Sequence, residues 1–218
     1  MNNALRERLI ETARAVVTTD DPSHDINHVM RVMQMAEKLA AIEGGDLDII
    51  IPGALFHDVV NHPKDDPRAL HAADESAILA RTLLEKISDY PHEKIAHVEE
   101  AIIDHSFTKG IIPKKIEAQI VQDADRLEAT GAISIMRTFA SSGQMKRPFY
   151  HPDDPFCERR DHETLDNVVK YGLDLFYKRL LKVGDMMNTK TAKKIAASRT
   201  EFLRTFLEQL KKELRGNE

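Results

Sequence analysis

The 218-residue sequence predicts an all-α protein, organised as a single helical domain. Apolar residues recur at steps of three and four along nearly the whole chain, the period of an amphipathic helix. Short breaks rich in proline, glycine and aspartate separate these segments. No stretch of useful length alternates in the manner of a strand, and no internal repeat, low-complexity segment or glycine-rich phosphate loop is present.

Composition narrows the function classes. Hydrophobic residues make up 42% and charged residues 31%, the balance of an ordinary globular protein with a core. A net charge of −5 argues against a nucleic-acid polymer as partner. The single cysteine, Cys157, excludes an internal disulfide and fits a reducing cytoplasm. No apolar run approaches the ~20 residues of a membrane span, and no signal-peptide core opens the chain.

Each element has its own justification. Leu5, Leu9, Ala13 and Val16 mark a helix over Ala4 to Val17, broken by the polar segment from Thr19 to Ser23. Ser23 or Asp25 then offers an N-cap for a second helix from about Ile26 to Ile42, closed by Gly44-Gly45. On it His28, Val32, Met35 and Leu39 share one face, so His28 heads an apolar stripe, with Arg31 beside it. A third helix, Asp46 to Asp58, contains Pro52, which removes a backbone donor and marks a kink or a late start. Ala73, Ala77, Ala80 and Leu84 line a fourth helix, about Ala69 to Ile87. Pro91 opens a fifth with the stripe Ile95, Val98, Ile102 and His105. The sixth, Lys114 to Thr130, places Ile116, Ile120, Asp123 and Leu127 on one face. A short helix over Gly131 to Ser142, a long loop from Gly143 to Arg160, and two closing helices (about His162 to Val183 and Thr189 to Leu214) complete the chain.

The chemistry centres on His57-Asp58. Adjacent helical residues point about 100° apart, so the pair converges on one partner only at a helix end, where a metal ion fits. A capping histidine beside a solvated aspartate is the commoner meaning of such a dipeptide, and a lone histidine on an apolar face is more often a satisfied core residue. The company of the pair shifts the balance. His28 lies upstream and Asp123 downstream, each on an inner stripe, and a carboxylate in an apolar stripe costs several kcal/mol unless paired with an arginine or bound to a cation.

These residues carry a resemblance. His28 with Arg31, then His57-Asp58, then Asp123 is similar to the metal-dependent phosphohydrolases of the HD superfamily. Ser23-His24-Asp25, His105-Ser106-Phe107 and Gln122-Asp123-Ala124-Asp125-Arg126-Leu127 followed by Gly131-Ala132 resemble a subgroup of small bacterial HD hydrolases, some of them nucleoside-triphosphate pyrophosphohydrolases. The likeness covers roughly residues 20 to 150. The guanosine-tetraphosphate hydrolases of the superfamily carry Glu-Asp where this chain has Asn61 and His62, which argues against that substrate.

Two imidazoles and two carboxylates suit manganese, iron, cobalt, nickel or zinc better than calcium, and magnesium less typically. An ion so held supplies Lewis acidity and an activated water. The expected metal ligands are His28, His57, Asp58 and Asp123. Arg31, Lys64, Arg126 and Lys146 are candidates for binding phosphate oxygens, although for Lys146 a solvated surface charge is the better reading. Asp58, His24, Asp25, His62 and His105 are candidates for catalytic work, with His105 alternatively orienting a ligand or serving a second metal.

The expected activity is hydrolysis of a nucleotide or other small phosphate ester, with (deoxy)nucleoside triphosphates releasing pyrophosphate as the leading case. A 5′-nucleotidase or other phosphomonoesterase, a cyclic-nucleotide phosphodiesterase, and a non-catalytic metal-stabilised module that binds a nucleotide or a partner protein are the alternatives. A homodimer is left open.

Overall fold

The structure is a computed structural model that describes residues 1–19, 21, 23–62, 66–107, 109–162, 165 and 169–216. The described residues are helical, with no strand among them. Where the sequence reads as one domain, residue contacts group the chain into two compact units. The first comprises Met1–Asp125 with Asn188–Thr191, the second Arg126–Met187 with Ala192–Glu218.

In the first unit, α1 (Asn3–Val16), α2 (Ile26–Glu43), α3 (Leu47–Phe56), α4 (Ala72–Leu84), α5 (Ile95–His105) and the bulk of α6 (Ile116–Leu127) surround a core of Leu9, Val32, Leu39, Ile50, Leu55, Phe56, Leu84, Ile102 and Ile120. The central element is α3, which packs against α2 and α5. All of its residues from Ile49 to Phe56 are buried, so its sequence is apolar throughout rather than on one stripe. Asp25 caps α2 by accepting from the His28 amide, and Asp46 caps α3 by accepting from Asp48. Between them Gly44 and Gly45 take φ of 88° and 101°, a conformation that costs glycine little.

Pro52 sits inside α3 and is buried. Having no N–H, it leaves the Asp48 carbonyl without its helical donor. The Tyr90 hydroxyl donates to that oxygen at 2.7 Å, so the proline is accommodated within the helix rather than marking a late start. One residue on, Gly53 allows a close approach. A Cβ there would lie 3.1 Å from Val121 of α6 and 3.6 Å from Ala101 of α5. These contacts bring the end of α3 against α5 and α6 one turn before His57.

Two element expectations are corrected. The fourth helix begins as a 3₁₀ turn, Pro67–His71, before α4. The continuous helix expected over His162 to Val183 does not form among the described residues. In its place are a π-turn, Phe176–Leu180, and a 3₁₀ turn, Val183–Met186. The backbone explains this: the amides of Gly172 and Leu173 donate to Pro148 and Phe149 carbonyls at 3.0 and 2.8 Å, so they are withdrawn from an i→i−4 ladder.

The second unit contains α7 (Gly131–Gln144) and most of α8 (Lys190–Arg215). Its core joins Phe156, Leu173, Phe176, Leu180, Leu203 and Leu207. Arg160 bonds both Asp174 oxygens at 2.8 Å and Asp154 at 3.2 Å, fixing the loop before the π-turn.

Candidate metal centre

Four helix ends of the first unit deliver the polar cluster. His28 lies in the first turn of α2, where the Asp25 cap holds its amide at 2.9 Å. His57 is the C-cap of α3 and Asp58 follows it. His105 ends α5, and Asp125 lies in the last turn of α6. Helix ends suit this work because the side chains leave the packed stripe where space opens.

The rings are close. The Nε2 atoms of His28 and His57 are 3.2 Å apart. His57 Nε2 lies 3.5 Å from Asp58 Oδ2 and 3.8 Å from Asp125 Oδ1, and His28 Nε2 lies 3.6 Å from the same Asp125 oxygen. His105 Nε2 is 3.4 Å from Asp58 Oδ1. His28, His57 and Asp125 offer atoms within 4.8 Å of one another, as do His57, Asp58 and His105.

The hydrogen bonds fix what these atoms are. His57 Nδ1 lies 2.8 Å from the Ala54 carbonyl, and a carbonyl accepts only, so Nδ1 carries the proton. In the neutral ring Nε2 then presents a lone pair to the cluster. His105 Nδ1 is paired with the Ile102 carbonyl in the same manner. Lone pairs and carboxylate oxygens converging at such distances repel one another unless a ring proton or a metal cation lies among them. The donor set therefore fits a divalent ion of mixed nitrogen and oxygen preference.

Electrostatics agree. Burial pushes His57 down to about 4, against the opposing pull of Asp58 and Asp125. Burial would raise the Asp58 carboxyl, but His57 and His105 hold it well below the usual range. Asp125 is likewise lowered despite burial, by His57 and His28. Burial opposes protonation of His105, and the hydrogen bond and charge of Asp58 overcome it to raise its pKa.

Of the four expected ligands, the structure brings His28, His57 and Asp58 together and does not bring Asp123 to them. Asp123 is fully buried, but its two oxygens accept from the backbone and side chains of Asn188 and Thr189 at 2.8 to 2.9 Å. This is a solution to carboxylate burial other than an arginine or a metal: a peptide segment turned amide-first toward it. Asp125, two residues on, stands at the cluster instead. The inner stripe identifies the deepest carboxylate, whereas the partly exposed one reaches the histidines. The Asp-Ala-Asp spacing is the only signal for it.

The other candidates divide. His24 Nδ1 pairs with Asp21 at 2.6 Å, and its ring meets His28 edge-on at 5.7 Å. No pattern in the sequence marks Asp21 for this role. Asp25 is committed to the α2 cap. His62 Nε2 pairs with Glu75 at 2.7 Å. Arg31 is half-buried. Burial would raise the Asp25 carboxyl, and the charge of Arg31 is among the influences that hold it low. Lys64 lies outside the described residues. Arg126 and Lys146 belong to the second unit; Arg126 is buried and donates to the Met186 carbonyl at 2.6 Å, and Lys146 is exposed.

Residues 25–130 match the HD domain family model. Over 97% of both chains the protein is similar to an HD-superfamily hydrolase from Bacillus thuringiensis, with 32% identity and a TM-score of 0.73. A crystal structure from Lactobacillus plantarum shares 28% identity over 99% of each chain, with a TM-score of 0.76. Bacillus subtilis YpgQ, crystallised in complex with ADP, shares 27% identity over 96% of this chain and 95% of that one, with a TM-score of 0.71. With the histidine–aspartate pair at the end of α3 and full-length similarity above 30% identity, the chain belongs to the HD superfamily of metal-dependent phosphohydrolases.

Proposed function

We propose that the protein hydrolyses nucleoside or deoxynucleoside triphosphates between the α and β phosphates, releasing pyrophosphate and a monophosphate. The observation that carries the reading is the cluster around His57, whose Nε2 lies 3.2 Å from that of His28, 3.5 Å from Asp58 and 3.8 Å from Asp125. These four residues are the proposed holders of the ion, Asp125 taking the place that the sequence assigns to Asp123. The bound ion supplies Lewis acidity and an activated water. Manganese, cobalt, nickel, iron or zinc suits its donors better than magnesium.

The chain itself does the positioning. The bonds from His57 Nδ1 to the Ala54 carbonyl and from the His28 amide to Asp25 hold two metal-binding histidines in place before substrate arrives, so little reorganisation accompanies the reaction. His24, tethered to Asp21, is the proposed carrier of a proton to the departing phosphate. Arg31 is the proposed contact for phosphate oxygens.

Support for a nucleotide comes from the ADP complex of Bacillus subtilis YpgQ. Cleavage next to the nucleoside is argued from candidate metal donors confined, among the described residues, to two overlapping groups that share His57, in a sequence without a glycine-rich loop to grip terminal phosphates. The experiment is product analysis by phosphorus NMR on the manganese-loaded protein with a panel of triphosphates. Pyrophosphate and monophosphate as first products support the assignment. Orthophosphate first, with monophosphates cleaved faster still, replaces it with a 5′-nucleotidase activity.

A further inference from the structure

We propose that the exposed face of α8 is a docking surface for a partner protein, one that presents an acidic helix with lysines set among its carboxylates.

The residues concerned lie wholly within the second unit. At about 100° per residue, Lys193, Lys194, Arg204, Lys211, Lys212 and Arg215 share one stripe of the helix, about 100° wide and ~33 Å long. All are exposed except the half-buried Lys211. Leu203 and Leu207 point away from the stripe into the core. Glu201 and Glu208 are its acids, so six cations stand with two carboxylates in a chain whose net charge is −5.

Helix stability does not account for this pattern. Lys212 and Arg215 stand at the C-terminal end, where cations suit the helix dipole. Lys193 ends the first turn and Lys194 follows it, near the positive pole, where a cation is unfavourable. The first turn holds no acid to offset them. A solvated helix commonly pairs opposite charges three or four residues apart. Among the described residues, however, Arg204 pairs with neither Glu201 nor Glu208, and Lys193, Lys194 and Lys212 form no salt bridge. Lys211 and Arg215, by contrast, both hold Glu158.

The stripe also has a place to seat side chains. Lys193, Glu201 and Arg204 form one wall of a groove of about 500 Å³, and Gly184 and Asp185 of the 3₁₀ turn form the other. Its mixed signs select the partner. A nucleic-acid backbone or an anionic membrane presents unbroken negative charge, which Asp185, Glu201 and Glu208 oppose. The stripe has no aromatic ring on which bases could stack. Ala197 apart, it has no apolar side chain to enter a bilayer. Glu201 and Glu208 are seven residues apart, two helical turns. Lysines at the same spacing on a partner helix meet both, while its acids meet the cations, and the alternation fixes register.

The test uses the full chain and a labelled helical peptide of alanine and glutamate with two lysines seven residues apart, followed by fluorescence anisotropy. Binding should weaken as salt rises and fall at least about tenfold in K193E/K194E. The melting temperature of that variant should be unchanged or higher, because glutamates suit that end of the helix. K38E/K86E makes the same change of net charge on exposed residues of the first unit and should bind as the wild type does. Equal loss in both variants reduces the effect to net charge and overturns the proposal. So does a lack of peptide binding at low salt, or stripe-dependent binding tighter for oligouridylate or phosphatidylserine vesicles than for the peptide. Carbodiimide coupling, which joins carboxylates to lysines in contact, gives an independent reading on the wild type. Mass spectrometry should place the peptide's carboxylates on Lys193 and Lys194, and its lysines on Glu201 and Glu208. Coupling spread over lysines of the whole surface overturns the docking face, whether or not the variants fold.

Discussion

Asp123 and Asp125 stand two residues apart on α6 and have different work. Asp123 accepts four hydrogen bonds from Asn188 and Thr189, so its removal leaves buried donors without an acceptor. D123A should therefore lose about 3 kcal/mol or more of stability, each orphaned group costing about 1–3 kcal/mol. Once folded, it should still retain metal. D125A should show the reverse: modest change in urea denaturation, with metal retention and turnover reduced at least about 100-fold. Elemental analysis beside denaturation curves checks both, and metal retained by D125A but lost from D123A would reverse the two roles. His28, His57 and Asp58 are legible in the sequence because each sits on a stripe or at a helix end. The two aspartates are not separable there, since periodicity reports which side chain is buried but not what it faces.

The metal-free site also carries a pH signature at the same scale. Burial lowers His57 to about 4 in the folded chain from an ordinary 6.5. The unfolded state therefore binds a proton that the folded state refuses, and stability falls as pH drops from 6.5 toward 4. The loss amounts to about 3 kcal/mol at about 1.4 kcal/mol per unit. His105 is shifted the other way, so below 6.5 it is protonated in both states and adds no slope in that window. Urea titrations of the chelated protein at pH 7, 6, 5 and 4 measure the trend. A flat profile would mean that His57 is not held neutral by burial.

At the scale of elements, the apolar run of α3 is legible, but the means of keeping a proline inside it is not. The donor to the Asp48 carbonyl is the Tyr90 hydroxyl, 42 residues away in the chain, and no local pattern announces it. Y90F should lose about 1–3 kcal/mol because the Asp48 carbonyl is left without a donor. Thermal denaturation of Y90F, with P52A as the companion, provides the check. Restoring an amide at position 52 should recover part of the loss in the double variant, and simple additivity of the two would break the link between them. The expected helix over His162 to Val183 fails for a related reason. Its periodicity is compatible with a helix, but the Gly172 and Leu173 amides find partners at Pro148 and Phe149, a tertiary choice that overrides local pattern.

At the scale of the molecule, cation binding and the stability of the first unit should be one quantity. All five residues of the cluster come from that unit, supplied by α2, α3 and the two residues after it, α5 and α6. An ion that binds only the folded arrangement stabilises it by mass action, about 2.7 kcal/mol when free metal stands at 100 times its Kd. For a chain of this length each kcal/mol moves the melting temperature by about 2–4 °C. Excess chelator should therefore lower the transition of the first unit by roughly 5–11 °C, and readdition of Mn²⁺ should restore it. The two units need not melt together, so the shift is best read by hydrogen exchange at α3 and α6, with α7 as an internal control. Protection should fall at the ends of α3 and α6 on chelation and remain at α7. An unchanged melting curve and unchanged exchange after confirmed metal loss would show that the cluster does not need its ion to hold these helix ends together, and would count against a buried metal centre.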